Sequence, residues 1–171
     1  MKYFSIFIIV LVLLTSCISD EKKDGPKIEK LPEIALYNTQ IILKSENAED
    51  IVLDADYVEY LENVAIIEGM SFTQLDSNGA LYLVGNASNG EINTDTKVMK
   101  LSGDVVLSQK KDDLNIECQE LEFKYEDAII NTSGDAFLKY NNIEIEASSL
   151  SASLNNLSFE VGQIVKGKIH D

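Results

Sequence analysis

Polar and apolar positions alternate along this chain with a period of two, as in Leu114-Asn115-Ile116-Glu117-Cys118 and Ile143-Glu144-Ile145-Glu146-Ala147. That period sends successive side chains to opposite faces, so each leg reads as a β-strand with one buried face. About every fifteen residues from Asn47 onward the alternation breaks at a polar cluster. Glu62-Asn63, Asp76-Ser77-Asn78-Gly79, Asp95, Lys111-Asp112-Asp113, Glu126-Asp127, Asn141-Asn142 and Asn155-Asn156 are the interruptions. Asn, Asp and Gly tolerate the left-handed backbone of tight hairpins, so each cluster has a reason to reverse the chain. The pattern predicts one long antiparallel meander.

The legs repeat in pairs of about thirty residues. One leg opens apolar-x-apolar-x-small, at residues 51–55, 81–85, 114–118 and 143–147. Its return leg carries a glycine before an apolar stretch, at Gly69, Gly103, Gly134 and Gly162. Such repeats bury a continuous core by stacking on their neighbours. A leg of this length extends roughly 40 Å, long for a strand in a small domain. The small residue or glycine near its middle supplies a place to bend or bulge. Bending every leg at one level gives an all-β fold, a V-shaped β-jellyroll with an apolar trough between two facing sheets. The predicted inward residues are Leu53, Ala55, Leu81, Leu83, Val105, Leu107, Leu114, Ile116, Leu121, Phe123, Ala136, Leu138, Ile143 and Ile145. They are aliphatic with few polar atoms, which suits tight packing or fatty chains and not sugars. Periodicity does not separate a filled core from an open lipid groove, and alone it favours the filled core.

The first segment changes the picture. Residues 3–14 form a nearly unbroken apolar run behind Lys2, short for a membrane span and right for a signal-peptide core. The run ends in Leu14-Thr15-Ser16-Cys17, which resembles the bacterial lipobox, whose cysteine becomes the lipidated first residue. The expected organisation is a lipoprotein signal peptide over residues 1–16, a lipidated tether over 17–32, and a β-domain over 33–171. Loss of Lys2 with the signal peptide would take the net charge from −15 to −16. Diacylglycerol plus an N-acyl chain suffices for stable anchoring. The tether, with Gly25, Pro26 and Pro32, would span on the order of 20 Å as a coil.

A net charge of −15 argues against nucleic acid and against adhesion to anionic headgroups. All fourteen basic residues are Lys, so the guanidinium forks that recognise phosphate are absent. With Cys17 lipidated, only Cys118 remains, in the slot that Ala55, Gly85 and Ala147 hold elsewhere, and it reads as a packed apolar side chain. The single histidine, His170, is penultimate, so no Ser-His-Asp or Cys-His set can be assembled without it. Asp54 and Asp56 share a strand face as solvated acids, and neither zinc spacing nor a full calcium loop is present. No enzyme activity, metal or cofactor is expected.

Leu101-Ser102-Gly103-Asp104-Val105-Val106-Leu107, the segment 114–125 and Ile130-Asn131-Thr132-Ser133-Gly134 together resemble the lipopolysaccharide-transport bridge family. This is the OstA-like family, and the likeness is nearest its LptC-type component. It spans about residues 34–165. The resemblance implies a slide of bent strands whose interior carries the acyl chains of lipopolysaccharide. It also implies edge-to-edge docking between the periplasmic domains of an ABC transporter and a second OstA-like bridge protein. The best-known inner-membrane members use a transmembrane helix where this chain has a lipobox. Family likeness favours the inner membrane, whereas Ile18 after the cysteine favours outer-membrane sorting.

An open meander has two unpaired edges, which invite strand addition. The last leg shows no Pro or Lys cluster blocking it, and Leu157, Phe159, Val161, Ile164 and Val165 are its expected partner edge. The expected protein is a periplasmic lipoprotein that binds lipopolysaccharide or a related glycolipid and relays it from an ABC exporter. The competing readings are a structural or adhesive envelope lipoprotein with a solid β-core, and a glycan-acting enzyme on a jelly roll.

Overall fold

The period-two legs form strands, and the polar clusters between them form turns, with a 3-10 turn at Lys110–Asp112, in the computed structural model, which describes residues 33–45 and 49–170. Among the described residues the strands are β1 (Ile34–Leu43), β2 (Ile51–Leu61), β3 (Val64–Leu75), β4 (Leu81–Asn93), β5 (Val98–Gln109) and β6 (Leu114–Lys124). Then follow β7 (Ile129–Thr132), β8 (Ala136–Tyr140), β9 (Ile143–Ala147), β10 (Leu150–Ser153), β11 (Ser158–Val161) and β12 (Ile164–Ile169). The expected signal peptide, Cys17 and the expected tether lie outside the described residues. Among the described residues no helix is long and apolar enough to cross a membrane.

Strands β1 to β6 pair in sequence order, all antiparallel. Each runs through two wings that meet at a bend. Past β6 the legs are interrupted, and the sheet divides. In the first wing the start of β6 pairs with β8, β8 with β9, and β9 with β12. In the second wing the end of β6 pairs with β7, β7 with β10, and β10 with β11. The last three legs are therefore pairs of short strands where the sequence pattern predicts single ones. The breaks fall at Ser133-Gly134-Asp135, Ser148-Ser149 and Gly162-Gln163, where no strand pairing is made.

The bend follows from the residues at mid-leg. Legs running one way carry a left-handed residue there: Asn38 at φ 47°, Gly69 at φ 59°, Gly103 at φ 76° followed by Asp104 at φ 47°, and Gly134 at φ 101°. Legs running the other way carry a small buried residue, Ala55, Ala87, Cys118 or Ala147. Gly103-Asp104 forms a bulge, because the pairing slips between Ser102 and Val105 against β6 and between Asn86 and Asn89 against β4. An extra residue on one strand bends the ladder locally. Gly69 has a second duty: a Cβ there would lie 2.1 Å from Asp56 Oδ2.

The turns show the same economy. Glu62, Gly79, Lys97, Asp113, Ala128, Asn141 and Leu157 each place one positive-φ residue in a described turn. Leu157, expected on the partner edge, is thus a turn residue, and the strand starts at Ser158. Neighbouring turns of the second wing are stitched together, with Thr94 N donating to Asn63 O at 3.1 Å, Tyr125 N to Lys97 O at 3.2 Å and Leu154 N to Ala128 O at 2.9 Å. Asp76 closes the β3–β4 turn by accepting from the Asn78 and Ala80 amides, both at 2.9 Å. Those two bonds hold the Asp76 carboxyl below its ordinary value.

Candidate apolar trough and its open ends

The inward faces of the two wings form one cluster of buried side chains reaching from Leu43 to Leu154. Phe72 of the first wing and Phe123 of the second stack across the interior with ring centroids 6.3 Å apart. Two glycines make room for this filling. A Cβ on Gly85 would lie 2.2 Å from Phe72 Cζ, and one on Gly90 would lie 2.3 Å from Met70 Sδ. Full burial of each such aromatic or aliphatic side chain contributes about 1.5–3 kcal/mol. The middle of the trough is therefore a packed core.

Eleven of the fourteen predicted inward residues are buried: Leu53, Ala55, Leu83, Val105, Leu107, Leu114, Ile116, Leu121, Phe123, Ala136 and Leu138. Leu81 and Ile145 are half-buried, and Ile145 packs on the core. Ile143 departs from the expectation of burial. It faces inward by its register with Tyr140 and Ile169, yet it is exposed because it stands where the trough ends. The inward list omitted Phe72, Met70, Ile67, Ile92, Met99 and Ile130, all of which are buried. Parity continued across each bend, with the mid-leg bulge counted, would have found them.

The trough is uncovered at both ends. At the β1 edge Ile34 and Leu36 carry the inward parity of their partners Tyr60 and Val58, yet both are exposed, Ile34 at 53%. On the other face of that edge Tyr37, 71% exposed, lies 4.8 Å from the Tyr57 ring. Tyr57 donates to the Glu59 carboxylate, and that bond first, with burial second, pushes it up to about 12, so the phenol stays neutral. At the opposite edge Ile164 and Ile169 are exposed at 54% and 71%. Phe159 and Val161 are half-buried there, Phe159 lying 5.2 Å from the Tyr140 ring across the gap between wings. Val165 is exposed at a bulge in the β9–β12 pairing.

Among the described residues β1 pairs only with β2, β11 only with β10, and β12 only with β9. The last leg is less bare than the sequence pattern implied. Lys166 and Lys168 alternate along β12, and Lys166 Nζ meets Glu146 Oε1 at 3.0 Å. His170 Nε2 lies 3.1 Å from Glu144 Oε1, and the Asn142 amide donates to His170 O at 2.7 Å. The His170 contact leads the causes that hold the Glu144 carboxyl below its ordinary value.

The lips of the wings touch. Ser45 Oγ lies 3.2 Å from Glu126 Oε2, and the Tyr82 hydroxyl reaches Leu154 O at 3.5 Å. Burial pushes the Cys118 thiol up to about 11, which keeps it protonated and unreactive, consistent with a packing role. A groove of about 640 Å³ follows the convex side of the bend, among Asn38, Asp54, Asp56, Asn86, Ser88 and Asp104. Ala55, Met70 and Ala87 line it as well. Among the described residues no three His, Cys, Asp or Glu side chains gather to hold a metal.

Comparison with the curated proteins returns no match. Among solved structures, the fold matches LptH of Pseudomonas aeruginosa, described as the LptA-homologous periplasmic component of the lipopolysaccharide transport device. The TM-score is 0.59 and the identity 14%, over 75% of this chain and 92% of that one. The family described as lipopolysaccharide-assembly, LptC-related, matches residues 6–170. A meander bent along a line of left-handed residues, with an apolar interior open at both edges, is thus joined to a family match over nearly the whole sequence, and the chain belongs to the LptC-related lipopolysaccharide-assembly family.

Proposed function

We propose that this protein is a lipid-anchored periplasmic relay, without catalytic activity, that takes the acyl part of lipopolysaccharide or a related glycolipid from an ABC exporter. It passes the chains toward the outer membrane through a trough extended by edge pairing with a second bridge protein. The observation that carries this reading is the apolar inward face, uncovered at both edges, at Ile34 and Leu36 on one side and Ile143, Ile164 and Ile169 on the other. A partner strand added at either edge would continue that face. The acidic surface is compatible with an anionic cargo if only methylene chains enter and the headgroup stays in solvent. Anchoring through Cys17 would hold the domain at one membrane.

The solid β-core reading keeps one specific support, the Phe72–Phe123 stack that fills the middle. Photo-crosslinkers in living cells separate the two. Placed at Leu107, Phe123 or Leu138 they should capture glycolipid, and at outward Glu122 or Lys139 they should not, because alternation sends neighbours to opposite faces. Equal labelling of both faces, or none, favours the structural protein. Membrane fractionation of Cys17→Ala in the same cells tests the anchor, and unchanged retention would remove it.

A further inference from the structure

Three polar side chains are buried among the inward positions: Gln74, Gln109 and Thr132. Two are answered. Gln74 Nε2 donates to Glu49 O at 2.6 Å, and Thr132 Oγ1 accepts from Leu150 N at 2.9 Å. Gln109 is different. It is 2% exposed, and its Oε1 has no hydrogen-bond partner. An unanswered buried acceptor costs about 1–3 kcal/mol, which is why native proteins hold few of them.

The orientation of this amide is set by its neighbour. The Tyr82 hydroxyl directs its proton to Leu154 O, so its oxygen is left to accept. Burial and Asp112 push Tyr82 up, and the Gln109 side chain opposes them, as an N–H donor to the phenol oxygen does. With Nε2 turned to Tyr82, Oε1 is the atom left over. Gln109 is also the last residue of β5, two positions beyond Leu107 and four beyond Val105 on the same inward face. It therefore stands at the lip of the first wing, with purely apolar positions between it and the bend.

We propose that Gln109 Oε1 accepts a hydrogen bond from a hydroxyl near the polar end of the acyl chain, so that the trough prefers hydroxylated chains to plain ones. This rests on the acyl-carrying function proposed above. The chain enters beside the Tyr82–Leu154 contact, which stays in place and keeps the Tyr82 proton away from Oε1. Its tail lies along Leu107 and Val105, and its headgroup remains outside the lip. That placement fixes where the hydroxyl must be, within the first few carbons after the headgroup and not at mid-chain. A bare methylene chain would leave Oε1 unanswered, and the site would discriminate against it as buried polar groups do.

The test uses the full chain and calorimetric titration with tetradecanoic acid, its 2- and 3-hydroxy derivatives, and a 12-hydroxy derivative. One added hydrogen bond predicts about a three- to tenfold tighter Kd for the 2- or 3-hydroxy acid over the plain acid, and no gain for the 12-hydroxy acid. In Gln109→Leu, or Gln109→Met should the first fail to fold, the ratio of plain-acid to hydroxy-acid Kd should fall to about one. Equal binding of all four acids by the wild type overturns the inference and leaves the relay reading standing; the oxygen is then answered by solvent only. A preference that survives both substitutions also overturns it. Binding of none of the acids removes the relay reading itself.

Discussion

Strand β1 and strand β12 close the two ends of the same sheet with different materials. The ten residues of β1 include no charged side chain, and Ile34, Leu36, Tyr37 and Ile42 are all exposed. Strand β12 has six residues, two of them Lys, and is held to β9 by Lys166–Glu146 and His170–Glu144. Edge lysines are a common means of stopping indiscriminate strand addition, because an incoming strand must bury or match the charge. A neutral apolar edge has no such filter. The difference predicts that β1 selects its partner by shape and apolar contact, and that β12 admits a partner able to answer its lysines.

The largest expected effect comes from contrasting an edge with the interior. Leu121 is 2% exposed and pairs with both Leu101 and Thr132, so Leu121→Pro removes ladder bonds and a core side chain at once. A loss of about 3 kcal/mol or more should unfold the domain, seen as collapse of the β signal in circular dichroism. Ile164→Pro on β12, which has one neighbour among the described residues, should lower Tm by just a few degrees and weaken partner binding. If both variants unfold alike, β12 is not an edge in the working protein.

An intermediate effect should follow from giving β1 the filter it lacks. Tyr37→Lys places a charge on a side chain that is already mostly exposed, so stability should change by about 0.5 kcal/mol or less. Binding of a β-rich partner at this edge should fall about tenfold or more, with binding at β12 untouched. Loss at both edges in the same titration would mean that one partner spans the two.

The smallest effect is one of pH. Glu144 is held below its ordinary carboxyl value by His170, so its contribution to the β9–β12 clasp is complete above that ordinary value and is lost as pH falls through the depressed one. Amide exchange in β12, corrected for intrinsic rates, should therefore speed up below about pH 4.5, whereas the charge-free β1 should show no matching change. His170→Gln should remove most of that pH dependence. A β12 that exchanges alike at pH 3 and pH 7 would show the clasp to be incidental.

Alternation made β2 to β6 legible in the sequence because each of those legs keeps one face largely buried along its length, while β1 was legible from its period alone. It missed the division of the later legs, since Ser148-Ser149 and Gly162-Gln163 look like strand residues in a sequence window, yet they bond to each other as the irregular crossing between wings, with Ser148 N donating to Gln163 O and Gly162 N to Ser149 O. Gly162 shows why a repeated glycine is an incomplete signal: it occupies the same slot as Gly69, Gly103 and Gly134, yet its φ is not positive. The trough positions were readable wherever a strand lies opposite to cover them. Ile143 failed because coverage is a property of the far wing. Gln109 was visible in principle as the one polar residue in the Val105-x-Leu107-x-Gln109 series, but its unanswered oxygen depends on Tyr82, 27 positions earlier.

The line of left-handed residues at mid-leg has a mechanical meaning. Ladder hydrogen bonds join one leg to the next, so they run along that line and never across it. The wings are like the covers of a book, and Asn38, Gly69, Gly103 and Gly134 are its stitching. Opening the covers changes backbone torsions at a few stitched positions and parts apolar surfaces, while every rung within a cover stays intact. A sheet built this way has its softest degree of freedom at the bend, where the covers move apart or together without melting any rung.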